Sequence, residues 1–385
     1  MKNPAPENPQ TIALFTYSTK PRGSVIHTLE LAQALHNLGH QVCVYALDKD
    51  GKGFDFPLLC KVQLVPAQPA PADIEHLLPQ RIQELVDYLT GSPLTYDYYH
   101  AQDCLTANAL AILKQRQQIP HFIRTVHHIE DYSSPYLQQC QDRSIREADL
   151  CFCVSDRWQK ALHQEYKIHA PRVLNGINLQ RFSPEPESRE TQLRTQWNLQ
   201  GSPIFLTIGG IEPRKNSLRL LQAFYQILQS HPRAQLIIAG GATLFDYQSY
   251  RDKFFTLAAK LELEIGSSLI LPGVITDSDL PALYRLADAF LFPSLKEGWG
   301  MVVLEAIASG LPVITSNQPP LTEFLSEGQG LFVDPESPSE IAAAMAKVLQ
   351  PDLAQSLVNR SQTVLSQYTW EASAQLHLDY YQQLR

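Results

Sequence analysis

The chain reads as an α/β protein made of two doubly wound, Rossmann-like domains facing across a cleft, and three observations predict it. Apolar strand-length runs alternate with helical stripes from end to end, which calls for parallel sheets covered by helices on both faces. At 385 residues the chain is longer than one hydrophobic core ordinarily serves. A polar, proline-bearing stretch, Arg181-Phe182-Ser183-Pro184-Glu185-Pro186, separates two such alternations and suits a linker. Domains are therefore expected at 1–185 and 186–368, with a closing helix over 369–385.

The elements follow in order. Thr11–Tyr17 is the first strand, and Leu29, Ala32, Leu35 and Leu38 recur at helical spacing after the loop Pro21–Ser24. Gly39 is placed as the residue just past that helix. Gln41–Ala46 is a strand, and Asp73–Leu89, Leu105–Lys114 and Pro135–Glu147 are helices. Tyr98-Tyr99, Phe122–Val126 and Leu150–Val154 supply further strands. In the second half, strands are expected at Pro203–Ile208, Gln235–Ala239, Ser268–Leu271, Ala289–Phe292, Leu311–Thr315 and Leu331–Val333. Leu218, Leu221, Phe224, Ile227 and Leu228 form a helical stripe, and Trp370–Arg385 is an amphipathic helix.

Composition narrows the function classes. Hydrophobic residues make up 44% and charged residues 18%, as in a soluble globular protein. A net charge of -8 argues against general nucleic-acid binding, and leaves peripheral membrane contact through a local patch open. The six cysteines form no CxxC pair, and Cys151 and Cys153 share one face of a strand, which favours burial over metal binding. Met1–Gln10 lacks the apolar core of a signal peptide, and no run of about 18 or more apolar residues occurs. A cytoplasmic location is expected.

Chemistry concentrates at strand ends. Between Phe292 and Ala306, Glu297 and Glu305 are separated by seven residues that include Gly298, Trp299 and Gly300. Glu297 is expected in the loop after a strand, with Glu305 about two turns into the next helix at about 3.6 residues per turn. Glycine there admits a ligand close to the backbone, and the N–H groups at the helix start favour a phosphate. Gly209-Gly210-Ile211-Glu212-Pro213-Arg214-Lys215-Asn216-Ser217 also joins a strand to a helix, which Asn216 or Ser217 can cap. Arg214 and Lys215 oppose the helix dipole unless an anion, such as a diphosphate, compensates them.

Other segments leave two readings open. Arg22-Gly23-Ser24 suits either a phosphate contact or an ordinary small-residue turn. Of His127 and His128, after the strand ending at Val126, one either meets a ligand or is simply satisfied in a loop. His100-Ala101-Gln102-Asp103 ends another strand and invites the same question. Asp48-Lys49-Asp50 matches a loose DxD pattern of metal-dependent sugar transfer but reads as a solvated turn, and Asp277 and Asp279 read as a helix start. There is no GxGxxG dinucleotide fingerprint, Gly240-Gly241-Ala242 included, no GxSxG elbow and no Walker A loop.

Taken together, these segments resemble glycosyltransferase family 4, retaining enzymes of the GT-B fold. The resemblance rests first on Glu297–Glu305 continuing to Pro312. It is supported by Leu38–Val42, Thr125–His127, Asn175–Asn178 with Arg181-Phe182, Tyr284 with Ala287-Asp288, and Pro320–Glu323. It implies that Glu297 positions the donor sugar, Glu305 holds the ribose, Lys215 and Arg214 stabilise the leaving diphosphate, and His127 faces the sugar. Gly209, Gly210, Gly298, Trp299, Gly300, Met301 and Val302 complete the donor site, with Gly23 and Ser24 by the diphosphate from the other domain. The last helix is implied to cross back onto the first domain. Two positions depart from the family pattern: Gly23-Ser24 stands for a paired glycine, and Gly209-Gly210 for a Gly-Arg.

The implied activity is metal-independent, retaining transfer of a hexosyl group from a nucleotide-diphosphate-sugar to an acceptor hydroxyl. The nucleotide sugar is a co-substrate, and no cofactor is expected. The alternatives are a sugar-nucleotide epimerase on the same scaffold and a non-catalytic binder of nucleotide sugars or glycans. The donor base, the sugar and the acceptor are not specified by these motifs.

Overall fold

The computed structural model describes residues 8–71, 73–91, 95–132, 134–241 and 247–384. Most of the polar start and Ala242 of the Gly240–Ala242 turn lie outside them. The chain divides into two compact units, Met1–Gly176 with Tyr368–Arg385, and Ile177–Gln367.

The first unit runs β1 (Thr11–Thr16), α1 (Gly23–Asn37), β2 (Gln41–Asp48), β3 (Lys61–Pro66), α2 (Ile74–Thr90) and β4 (Tyr98–Ala101). It continues through α3 (Cys104–Gln115), β5 (Ile123–Val126), α4 (Pro135–Arg146), β6 (Leu150–Cys153) and α5 (Asp156–Ala161). The second runs α6 (Arg189–Gln196), β7 (Ile204–Ile208), α7 (Ser217–Ser230), β8 (Gln235–Ala239), α8 (Gln248–Lys260), β9 (Leu269–Gly273) and α9 (Leu280–Arg285). After these come β10 (Ala289–Phe292), α10 (Met301–Ala308), β11 (Val313–Ser316), α11 (Leu321–Phe324), β12 (Leu331–Val333), α12 (Pro338–Val348) and α13 (Pro351–Ser361). The last helix, α14 (Trp370–Tyr381), belongs to the first unit, where it packs on α1.

Each unit is a Rossmann-like α/β layer structure with a six-stranded sheet, ordered β3-β2-β1-β4-β5-β6 in the first and β12-β11-β10-β7-β8-β9 in the second. The described strand pairs are parallel, as β1 with β2 from Thr11↔Gln41 to Thr16↔Ala46. Buried strands explain the near-continuous apolar runs that made them visible in sequence. Separate cores form, one around Phe15, Leu85 and Phe122, the other around Phe205, Phe224 and Leu291. Strand order reverses between β1 and β4 in the first sheet and between β7 and β10 in the second. Open α/β sheets bind ligands just beyond the carboxyl ends of strands at such a point.

Several boundaries differ from expectation. The division falls between Gly176 and Ile177, not at 185/186, because the proline-bearing stretch is packed into the second unit. Arg181 pairs with Asp277 at 2.5 Å, and Phe182, buried, meets Tyr284 edge-on at 5.8 Å. Asp279 stands at the start of α9 without capping it; its carboxylate accepts from Arg189 instead. β3 was not expected; its short run is mostly half-buried. No helix among the described residues is long and apolar enough to cross a membrane.

Candidate functional site

In the second unit, the loops that leave β7 and β10 at the reversal of strand order carry Gly209–Asn216 and Pro293–Gly300. Their backbones are joined where Leu295 N donates to Arg214 O at 2.8 Å. Asn216 stands at the start of α7 in a left-handed conformation (φ 62°), but its side chain does not cap the helix. Instead its amide donates to Pro293 O at 3.0 Å and Pro335 O at 2.6 Å, and its oxygen accepts from Arg219. The expected cap is thus a staple between two loops.

The cations find a protein anion. Lys215 Nζ lies 2.7 Å from Glu297 Oε1 and 4.3 Å from the centre of the Phe292 ring. Arg214 bridges two carboxylates, Nε to Glu212 Oε2 at 2.9 Å and Nη1 to Glu297 Oε2 at 3.4 Å. Burial alone would raise the Glu297 carboxyl, yet the charges of Lys215 and Arg214 outweigh it and hold it below the usual carboxylate range. Burial draws the Lys215 ammonium below its ordinary value, with Glu297 opposing that shift. Lys215 is nearly enclosed, whereas the Arg214 side chain keeps 36% of its exposure, so Arg214 is the cation nearer to solvent.

The glycines here have packing reasons. A Cβ on Gly209 (φ +149°) would press on the Lys215 stem at 3.0 Å, and one on Gly210 would strike Gly241 O at 2.5 Å. Their absence of side chains therefore seats Lys215 and joins two loops, independently of any phosphate. Gly300 (φ +112°) delays the helix to Met301, so Glu305 stands just over one turn into α10 and not two. Trp299 is buried and stacked on Phe324 at 4.4 Å, so its ring belongs to the core and not to a ligand surface. Met301 and Val302 form the first turn of α10 and are partly exposed.

Glu305 is buried, and burial raises its carboxyl above the ordinary range. The Tyr284 hydroxyl, which has one proton, reaches Glu305 Oε2 at 2.7 Å and Val302 O at 3.2 Å. Glu305 Oε1 has no hydrogen bond among the described residues. Tyr284 was visible as part of a motif, but nothing in its spacing announced this bond.

In the first unit, Gly23 and Ser24 open α1 just beyond β1, with Gly23 exposed. His127 follows β5, its Nε2 3.1 Å from Gln102 Oε1 and its ring edge-on to His27 at 4.8 Å. His128 is exposed and its Nε2 lies 3.2 Å from Glu130 Oε1. His27, from the buried face of α1, bonds Asn175 at 2.8 Å and meets Trp370 of α14 edge-on. Burial lowers His127 well below the usual imidazole value, with His27 and Arg124 adding repulsion. In the Asp48-Lys49-Asp50 turn, the buried Asp48 accepts Gly51 and Gly53 N–H groups and Asp50 pairs with Lys20. Asp48 thus orders its loop and is not solvated. All six cysteines are free thiols, Cys151 and Cys153 buried.

Two family models match, Glycosyltransferase Family 4 over residues 21–181 and Glycosyl transferases group 1 over 189–364. An uncharacterized glycosyltransferase of Methanocaldococcus jannaschii is 26% identical over 96% of this chain and 97% of its own. O-antigen chain mannosyltransferase B of Escherichia coli is 28% identical over 65% of this chain and 67% of its own. The solved sucrose-phosphate synthase of Thermosynechococcus elongatus superposes with a TM-score of 0.78 at 25% identity, over 97% of this chain and 99% of that one.

Proposed function

Since the chain belongs to the family-4-type glycosyltransferases, with the GT-B fold, we propose that it moves a hexosyl group from a nucleotide-diphosphate-sugar to an acceptor hydroxyl with retained configuration and without a metal. The observation that carries this reading is the Lys215–Glu297–Arg214 cluster at the reversal of strand order. A carboxylate has about four lone-pair positions, so Glu297 can hold both cations and still accept from sugar hydroxyls. Arg214 and Lys215 supply the positive charge that a departing diphosphate needs, and Glu305 Oε1 accepts from a ribose hydroxyl. The name of the Escherichia coli relative, a mannosyltransferase, supports a hexose.

In the transfer, the acceptor oxygen bonds to the anomeric carbon on the face from which the phosphate oxygen leaves. The acceptor proton passes to that phosphate oxygen, and nucleoside diphosphate departs. Glu297 then needs no elevated pKa, consistent with its depressed carboxyl. The protein's share is positioning and charge stabilisation.

A thermal-shift panel of UDP, GDP, ADP and their sugars tests donor binding, because a ligand of the folded state raises the melting point. Lys215→Ala and Glu297→Ala are each expected to lower transfer by about 100-fold or more, given what one preorganised charge contributes. Full activity in both variants sinks the assignment. Conversion of a sugar nucleotide with no acceptor present would point to an epimerase, and binding without nucleotide release to a non-catalytic role.

A further inference from the structure

We propose that Gln102 is a positioning residue that holds His127 as the neutral Nε2–H tautomer and so presents its Nδ1 as a hydrogen-bond acceptor to a substrate hydroxyl. The proposal rests on the sugar-transfer reading above. Gln102 is fully buried, one residue past the end of β4. Its Oε1 accepts from His127 Nε2 at 3.1 Å, while its amide nitrogen donates to His100 Nε2 at 3.3 Å. That same His100 nitrogen receives the Thr125 hydroxyl at 2.7 Å. With Nε2 serving as acceptor, the His100 proton sits on Nδ1, which donates to Tyr381 Oη at 2.7 Å. His100 Nε2 then shares its one lone pair between the Thr125 and Gln102 donors, and the Tyr381 hydroxyl accepts.

The far end of the chain lies in α14, so the last helix reaches His127 through His100 and Gln102. His127 keeps partial exposure, and its Nδ1 has no hydrogen bond among the described residues. Burial, with repulsion from His27, Arg124, His128 and His100, keeps the ring uncharged. An imidazolium could only donate; a neutral ring with its proton on Nε2 can only accept at Nδ1. Gln102 makes that choice because its carbonyl faces His127 and its NH₂ faces His100. A reversed amide would invert each donor along the chain and put the His127 proton on Nδ1.

The test is long-range ¹H–¹⁵N correlation on full-length protein carrying ¹⁵N-histidine, with His127→Asn to assign the signal. Wild type is expected to show the neutral Nε2–H form, and Gln102→Leu a mixture or the Nδ1–H form. Gln102→Glu, whose carboxylate still accepts from Nε2–H, should retain it. In kinetics, Gln102→Leu is expected to lower kcat by about tenfold or more, as loss of orientation does, while the nucleotide-induced melting shift stays intact. A wild-type Nδ1–H signal, or a Gln102→Leu spectrum unchanged from wild type, overturns the proposal. If Gln102→Leu does not fold, the wild-type and Gln102→Glu spectra decide. A correct tautomer in a protein that transfers no sugar would instead sink the sugar-transfer reading.

Discussion

Asn216 shows how much one side chain can hold at the site. It is 1% exposed, and its amide ties the strand ends near Pro293 and Pro335 while its backbone sits in a left-handed conformation that asparagine tolerates. Asn216→Ala leaves two buried carbonyls without their donor and places alanine at positive φ. The expected cost is about 2–4 kcal/mol, from unsatisfied groups and backbone strain. Urea unfolding measures it, and a change below about 1 kcal/mol would contradict the staple. The residue types were readable from sequence: the two cations before α7, the acidic loop after β10 and the histidine after β5. Their partners were not, because Lys215 and Glu297 meet only when β7 and β10 become neighbours. Trp299 misled for the same reason, since only the folded chain shows it stacked on Phe324.

At the scale of elements, α14 depends on a backbone gap. A Cβ on Gly176 would lie 2.3 Å from Trp370 N and 2.7 Å from the Thr369 carbonyl carbon, both backbone atoms at the start of that helix. Ser373 Oγ donates to Leu174 O beside it at 2.5 Å. Gly176→Ala must therefore push the helix start away, at a cost of about 3 kcal/mol or more, near the upper end for single substitutions. Amide exchange over 370–381 is expected to quicken sharply, and protection equal to wild type would disprove the contact. Helical periodicity and the glycine after Leu38 made α1 legible. The stretch 181–186 misled because proline and polar residues suit a linker, whereas Arg181, Arg189 and Phe182 find partners in the second unit.

For the molecule as a whole, buried histidines make the first unit sensitive to acid. His27 is lowered from 6.5 to about 4, and His377 from 6.5 to about 3, in both cases chiefly by burial. The groups around them are Asn175, His127, Trp370 and His100, together with the Ser373 carbonyl that receives His377 Nδ1. Both rings are neutral in the fold, while the unfolded chain binds protons near pH 6.5. Stability is therefore complete above about pH 6.5 and declines as pH falls toward 4 for His27 and 3 for His377. Each histidine contributes a slope of about 1.4 kcal/mol per pH unit in that window. Unfolding of the first unit followed by amide exchange between pH 7 and 5 checks it. His377→Leu should flatten the slope by one proton, and an unchanged slope would refute the assignment.

By itself the sequence determined the alternation of strands and helices, the parallel sheets, the division into two units and which strand–helix loops carry the charged residues of the candidate site. Those features follow from local periodicity and from the residues that each turn tolerates. Only the tertiary structure decided which charge meets which, where the cut between units falls, and that His100, Gln102 and His127 form one hydrogen-bonded chain ending at Tyr381. The physical reason is that a hydrogen bond acts over about 3 Å in space and carries no trace of the separation along the chain. Glu297 and Lys215 are 82 positions apart, and His100 and Tyr381 are 281 apart. Sheet order brings the first pair within reach, and the docking of α14 in the first unit brings the second.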